Sequence, residues 1–387
     1  MPDHNGILLT AFEPSGDALA APVIAALRAA RPSLPIAALG GPAMGDSGAQ
    51  LLEKTTDQAV MLAAVAGQFG VHRRRLKRLE AWLAEHTITT HVAVDSPAAN
   101  WSICRLVRRL QPKARIVHLA APQIWAWAPW RIRRLRRLTD LVLCLLPFEP
   151  DWFTSRGVNA TFVGHPLFDV PTAANENSHT PPRDGLTLAL LPGSRRDEII
   201  ANWPVILDVF DQLCQTRSHL RGVVATVDQN AAQLIRQLSA ATELPAQLRV
   251  ESGRTRAVLE SADAAMVVSG TATLAAAAAG TPMVCVYNVK RWMWHMAGRW
   301  LIRTRTFALP NVIAEAAGLG RVVPEFIPHF AQTPPLVKAV GELLDNSDRQ
   351  MDQRMALDQI AALYAEQCHG LPFVDAAANP ILEMVNR

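Results

Sequence analysis

Cysteine is sparse and scattered in this chain of 387 residues: Cys104, Cys144, Cys214, Cys285 and Cys368 form no C-x-x-C pair and no metal-ligand spacing. That excludes a disulfide framework and a structural zinc, and it fits reduced thiols in a cytosolic protein. No uninterrupted apolar run reaches the roughly 18 residues of a membrane span. The opening MPDHNG lacks the basic stretch and apolar core of a secretory leader. The sequence thus predicts a chain that is neither exported nor membrane-spanning. Short-period repeats and low-complexity tails are missing, which excludes a solenoid. The glycine-bearing loops carry no Asp-x-Asp pair and no His/Cys cluster, so neither a metal nor any other cofactor is expected.

Apolar mass is plentiful. Half the residues are hydrophobic and 19% are charged, a composition that folds around large cores. The length exceeds that at which a single core stops growing, so two domains are the default. The first half alternates ILLTAF, PIAALGG, THVAVD, ARIVHLA, DLVLCLL and ATFVGHP with helical patterns, including a Gly/Ala-rich connection and a basic helix near 71–86. After the polar, Pro-rich VPTAANENSHTPPRDG (170–185) the alternation restarts with LTLALLPGSR, GVVATV, QLRVESG, AAMVVSG and MVCVYNV. Short strand patterns between longer helical ones predict parallel α/β sheets. In each half a strand pattern runs into a small polar loop at a helix start: ILLTAF into EPSGDALAAP, LALLP into GSRRDE, and AAMVVSG into TATLAAAAAG. Helix N-termini of this kind present unpaired N–H groups and a positive dipole end, which suit phosphate.

Asp95 closes the strand HVAVD, where a carboxylate can accept a proton from an attacking hydroxyl. Asp95-Ser96-Pro97 is equally a helix-start signature, and spacing leaves the two readings open. Arg195, in Gly193-Ser194-Arg195, sits where a guanidinium can clamp a diphosphate or simply mark a helix start. Ser269-Gly270-Thr271 places two hydroxyls around a glycine that admits an anion to the backbone. His118 and His165 lie at strand ends, suited to packing or to substrate.

Net charge is only +4, yet basic residues cluster in HRRRLKR (72–78), RIRRLRR (131–137) and KRWMWHMAGRWLIRTR (290–305). Trp125 and Trp127 adjoin the second cluster. In the third, Trp292, Met296 and Trp300 share a helical face, with Arg299 and Arg303 interleaved. Either the indoles pack inward, or these segments lie on an anionic membrane.

Ten segments in colinear order together resemble the motif set of the lipid-A-disaccharide synthase family. They are FEPSGDALAA (12–21), GGPAM (40–44), AVM (59–61), VDSPAAN (94–100), IVHLAAPQIWAW (116–127), LVLCLLPFEPDWF (141–153), FVGHPLFD (162–169), LALLPGSRRDEI (188–199), VSGTATL (268–274) and ALPNVIAE (308–315). The resemblance implies a GT-B fold with two Rossmann-like domains facing a central cleft. Residues 1–170 would form an acceptor and lipid domain, 171–185 a linker, 186–364 a UDP-sugar domain, and 365–387 a helix crossing back to the first.

It further implies inverting transfer of 2,3-diacylglucosamine from UDP to the 6-hydroxyl of 2,3-diacylglucosamine 1-phosphate, giving the β-1,6 disaccharide and UDP. Asp95, Arg195 and Asn311 are the catalytic residues it suggests. Glu13, Ser15, Gly16, Asp17, His118, Gln123, Trp125, Gly193, Ser194, Ser269, Gly270 and Thr271 are the substrate-binding ones, and Trp292, Trp300, Arg299 and Arg303 would face the membrane. The implied partners are the substrates, UDP-2,3-diacylglucosamine and 2,3-diacylglucosamine 1-phosphate, and an anionic membrane surface. No nucleic acid is expected, and a homodimer is left open. The implied location is cytoplasmic, on the inner membrane. Ala98 stands where the family motif D-A-P-D-F-N has its second acid, Ala275 where SGTAALE has its glutamate, Ala11-Phe12-Glu13 where it has A-G-E, and Leu62 and Val65 where AVMG-x-x-E has its glycine and glutamate. A related glycosyltransferase with a changed donor or acceptor, and a catalytically silent lipid-binding protein, therefore stay as alternatives.

Overall fold

The computed structural model describes residues 6–56, 65–169, 185–240, 244–288 and 306–386. It divides into two units, Met1–Asp169 with Ala365–Arg387, and Val170–Tyr364. Most of the linker segment, the AVM motif with Leu62, and the Trp/Arg segment bearing Trp292, Arg299, Trp300 and Arg303 lie outside the described residues.

In the first unit, β1 (Gly6–Thr10), β2 (Ile36–Gly40), β3 (Gln50–Lys54), β4 (Ile88–Val94), β5 (Arg115–Leu119), β6 (Leu141–Cys144) and β7 (Ala160–Phe162) form one parallel sheet of order β3-β2-β1-β4-β5-β6-β7. The inner strands are apolar on both faces because helices cover both. Ile7 and Leu9 join Val92, Val94, Val117 and Leu119 beneath α1 (Pro14–Ala30), through Val23, Ile24 and Leu27. Phe373, Ala377 and Ile381 of the C-terminal helix Phe373–Asn386 complete that layer, so the end of the chain belongs to the first core. On the other face Leu8, Ala93 and Ile116 meet Leu79 and Leu83 of the helix Val65–Glu85 and Trp101, Ile103 and Val107 of the helix Pro97–Leu110. We name α2 (Pro42–Asp46), α3 (Val65–Glu85) and α4 (Pro97–Leu110) in chain order.

In the second unit, β8 (Thr187–Leu191), β9 (Arg221–Thr226), β10 (Leu248–Ser252), β11 (Ala264–Val268), β12 (Met283–Asn288) and β13 (Glu325–His329) repeat the plan in the order β10-β9-β8-β11-β12-β13, again parallel. Leu188, Leu190, Val224, Met266 and Val284 pack under Trp203, Ile206 and Phe210 of the helix Arg196–Thr216. The buried Trp203 indole donates to Ser239 Oγ at 2.9 Å, so its one polar group is satisfied.

The strand QLLEK falls inside the segment read as a Gly/Ala-rich connection. It is a half-buried edge strand, so its apolar signal is weak. Arg75 (3.0 Å) and Arg78 (2.7 Å) of α3 anchor it through Glu53.

Candidate active site

In a doubly wound sheet the strand order reverses at one point, and loops leaving the carboxyl ends there splay apart and leave room for a ligand. The reversal falls between β1 and β4 in the first unit and between β8 and β11 in the second. The sequence-predicted loops leave from these strands: Glu13 follows β1, Asp95 follows β4, Gly193-Ser194-Arg195 follows β8, and Ser269-Gly270-Thr271 follows β11.

At the first switch point the backbone is strained. Asp95 and Ser96 both adopt left-handed conformations, with φ of 45° and 35°, and Ala120 beyond β5 has φ of 65°. Such residues cost on the order of 1–2 kcal/mol apiece and persist only where their surroundings hold them. Pro97 opens α4 as the sequence suggests, but Ser96 at the N-cap makes no side-chain capping bond. Its hydroxyl donates instead to Glu13 Oε1 at 3.3 Å, joining the loops after β1 and β4. The Asp95 N–H is held by the Leu119 carbonyl at 2.9 Å. Asn100, one turn into α4, donates its amide to the carbonyls of Val94 and Asp95, both at 2.9 Å. The sequence reading missed Asn100, although its place five residues after Asp95 on a new helix turns it inward toward the strand end.

Several expected substrate residues have other duties. Asp17 is buried, and its carboxylate accepts the N–H groups of Gly41 (2.9 Å), Ala43 (3.1 Å) and Met44 (3.1 Å), so it caps α2. Gly16 is buried where a Cβ would stand 3.4 Å from Ala11 Cβ, close to the packing of α1 against the sheet. His118 is fully buried within β5, and burial lowers its pKa to about 4, so the ring is neutral and enclosed. His165 is likewise buried, lowered to about 4, and accepts the Leu167 N–H at 3.2 Å. Ser15 and Gln123 are exposed.

Trp125 is half-buried. Its indole donates to Glu149 Oε1 at 3.0 Å, and its ring meets Phe148 edge-on at 5.1 Å. Glu149 also accepts the Leu146 N–H at 3.1 Å. Burial raises the Glu149 carboxyl to about 7 against the pull of those bonds. This buried acid lies in the LPFEP segment and was not singled out from sequence. An acid flanked by Pro and Phe at a strand end is the signal that could have found it.

At the second switch point the groups are exposed. Gly193 has φ of 114°, and a Cβ there would come within 2.8 Å of Glu198 Cβ, so the turn requires glycine. Arg195 is the N-cap of α5, our label for Arg196–Thr216, and its Nη1 pairs with Glu198 Oε1 at 3.0 Å. The other Glu198 oxygen accepts the N–H groups of Ser194 (3.2 Å) and Arg195 (3.3 Å). The Glu198 carboxylate thus occupies an anion cradle made of two backbone donors and a guanidinium. The Glu three residues after the N-cap is the capping-box spacing, readable in sequence but not read there. Gly270 has φ of 133° with open space where its Cβ would be, and Ser269 donates to the Phe307 carbonyl at 3.2 Å.

The Asn311 amide bonds to the backbone. It is fully buried; Oδ1 accepts the Val322 (2.9 Å) and Val323 (2.8 Å) N–H groups, and Nδ2 donates to the Val323 carbonyl at 2.8 Å. It braces the backbone leading into β13. A separate depression, lined by Thr187, His219, Arg221, Leu248 and Arg249, lies at the amino-terminal starts of β8–β10, away from the Gly-bearing loops.

Two parallel sheets, each reversing order where its small polar loops gather, define a GT-B type α/β protein. The glycotransferase of kitacinnamycin is similar in fold, with a TM-score of 0.60 at 15% identity over 98% of this chain and 99% of that one. So is the UDP-GlcNAc 2-epimerase from Neisseria meningitidis bound to UDP-GlcNAc, with a TM-score of 0.61 at 10% identity over 99% and 100%. The chain belongs to the lipid-A-disaccharide synthetase family, whose pattern matches residues 7–370. The lipid-A-disaccharide synthase of Pseudomonas aeruginosa strain LESB58 is 33% identical over 359 residues, 91% of this chain and 93% of that protein. By this membership the chain is a glycosyltransferase of lipid A biosynthesis.

Proposed function

We propose that the chain transfers 2,3-diacylglucosamine from UDP to the 6-hydroxyl of 2,3-diacylglucosamine 1-phosphate, with Asp95 as the general base. The observation that carries this is the carboxylate of Asp95 on a strained turn at the first switch point. The base takes the proton of the 6-hydroxyl as its oxygen attacks the anomeric carbon from the face opposite UDP. The anomeric C–O bond breaks, and UDP departs with the electron pair. The developing diphosphate charge is met in the second unit by the N–H groups of Ser194 and Arg195, the Arg195 guanidinium, and the Ser269-Gly270-Thr271 turn. Glu13, Ser15 and Gln123 are proposed acceptor-side contacts.

The membrane partner belongs to the same proposal. Trp127 and Trp130 are 41% and 59% exposed, beside a short helix, Ile132–Leu138, whose Arg133, Arg134, Arg136 and Arg137 face solvent. Arg131 stacks on Trp127 at 4.2 Å, and none of these five arginines enters an ion pair with a described residue. Exposed indoles among arginines with no such ion pair suit an anionic lipid surface, where each basic side chain contributes about 1 kcal/mol. The described residues contain no helix long and apolar enough to cross a membrane.

The test is an assay with UDP-2,3-diacylglucosamine and 2,3-diacylglucosamine 1-phosphate. A β-1,6 disaccharide and one UDP per turnover are expected, undiminished by excess chelator. Donor consumption only with another acceptor would make the protein a different glycosyltransferase, and binding without turnover a silent lipid binder. Cosedimentation with phosphatidylglycerol vesicles, weakened by salt and by Trp127→Ser with Trp130→Ser, tests the membrane part.

A further inference from the structure

Behind the Asp95 turn runs a line of buried side chains whose hydrogen-bond directions are fully determined. Asn100 reaches two carbonyls, Val94 and Asp95, and only an amide NH2 can donate to both. Its Oδ1 therefore faces Thr10 Oγ1, 2.6 Å away, and receives that hydroxyl's single proton. His91 Nε2 lies 2.9 Å from the same hydroxyl and must donate to it. The ring is thereby set as the Nε2–H tautomer, with Nδ1 turned toward Cys104 Sγ at 3.9 Å. Burial, with His118 and Arg108 nearby, lowers His91 to about 3, so the ring stays neutral. Thr10, His91 and Asn100 are all fully buried, and they tie the ends of β1 and β4 to the first turns of α4.

We propose that Asn100, oriented by Thr10 and His91, is the positioning residue that aims the Asp95 carboxylate. The inference rests on Asp95 being the base. The Val94 carbonyl belongs to the peptide plane before the Asp95 Cα, and the Asp95 carbonyl to the plane after it. Holding both planes with one amide sets the direction of the Asp95 Cβ. Two consecutive left-handed residues would otherwise relax, since each costs on the order of 1–2 kcal/mol. A shift of about 1 Å in a reacting group can cost on the order of a hundredfold in rate. Thr10 and His91 act one step back. They keep the Asn100 amide from flipping, because the flipped form would set its oxygen against two carbonyl oxygens and take away the acceptor of the Thr10 hydroxyl proton.

Thr10→Val is nearly isosteric and removes only the hydroxyl; Thr10→Ser restores it. We expect Thr10→Val to lower kcat about tenfold, with KM for both substrates within about twofold, and Thr10→Ser to recover most of the rate. Asn100→Ala should lower kcat further in the same KM-independent way. In an Asp95→Asn background Thr10→Val should add nothing, because no carboxylate is left to aim. A folded Thr10→Val with wild-type kcat, beside an inactive Asp95→Asn, overturns the positioning role and leaves the base intact. Wild-type turnover by Asp95→Asn overturns the base and the positioning role with it. Should the Thr10 variants not fold, nitrogen-15 NMR of wild-type His91 decides. A neutral Nε2–H tautomer at pH 6 is expected, and an Nδ1–H or protonated ring overturns the network.

Discussion

The two switch points share a topology and differ in how they are built. In the first unit, the turn bearing Asp95 is backed by neutral, fully buried groups, and the strain at Asp95 and Ser96 is set against the Asn100 clamp. In the second, Arg195 is 61% exposed and pairs with Glu198, three residues away. A base must point in one direction before substrate arrives, so rigid buried bonds suit it. A diphosphate brings its own charge, so its site needs donors that can be vacated. The Glu198 carboxylate keeps those donors paired.

Four substitutions sharpen or break that contrast. Asp95→Asn should have the largest effect. It keeps volume and hydrogen-bonding capacity but cannot act as a base, so the rate is expected to fall about a hundredfold or more in a protein that melts normally. Near-normal turnover would reduce the first switch point to a scaffold. Arg195→Ala should lower kcat/KM about ten- to a hundredfold, the scale of one hydrogen bond to a charged group. Steady-state kinetics varying the donor would place the loss; an unchanged value would show that the exposed cradle does not touch the diphosphate.

Glu149→Gln probes the buried side. The folded state raises this acid from 4.5 to about 7, so between those values the native protein binds more protons than the unfolded one. Stability should then fall as pH rises through that window, by on the order of 3 kcal/mol in wild type, and the variant should lack the fall. Urea midpoints from pH 4.5 to 8 measure it. Parallel curves for the two proteins would show that Glu149 does not titrate in this range. The smallest effect is expected for Glu198→Gln, which retains a capping carbonyl but removes the competing charge. UDP should bind up to about fivefold tighter by calorimetry, since an exposed ion pair contributes at most about 1 kcal/mol. Weaker binding would make Glu198 part of the donor site instead of its occupant.

Much of this was legible from the chain. Alternation of ILLTAF-like strands with helical patterns announces two parallel sheets, because doubly covered strands must be apolar on both faces. The places of Asp95 after β4 and of Gly193-Ser194-Arg195 after β8 were legible because a strand end running into a helix start leaves short, local marks. Asp17 and Asn311 were assigned to ligand and reagent, yet both hold backbone. A polar residue in a motif looks the same whether its partner is a substrate or an N–H group 24 residues away, as for Asp17 and Gly41. Edge strand QLLEK escaped because half-burial leaves little apolar pattern.

By itself, then, the sequence determined the α/β class, the doubled architecture, the small polar loops at the strand ends and the family, since each depends on residues close together in the chain or on motifs in colinear order. Only the tertiary structure decided which polar side chains are committed to bonds within the fold. Thr10, His91 and Asn100 are separated by 81 and 90 positions from the first to the others, and they become one network solely because β1 and β4 lie side by side where the sheet reverses. Hydrogen bonds act over about 3 Å in space, and nothing in linear spacing reports that distance.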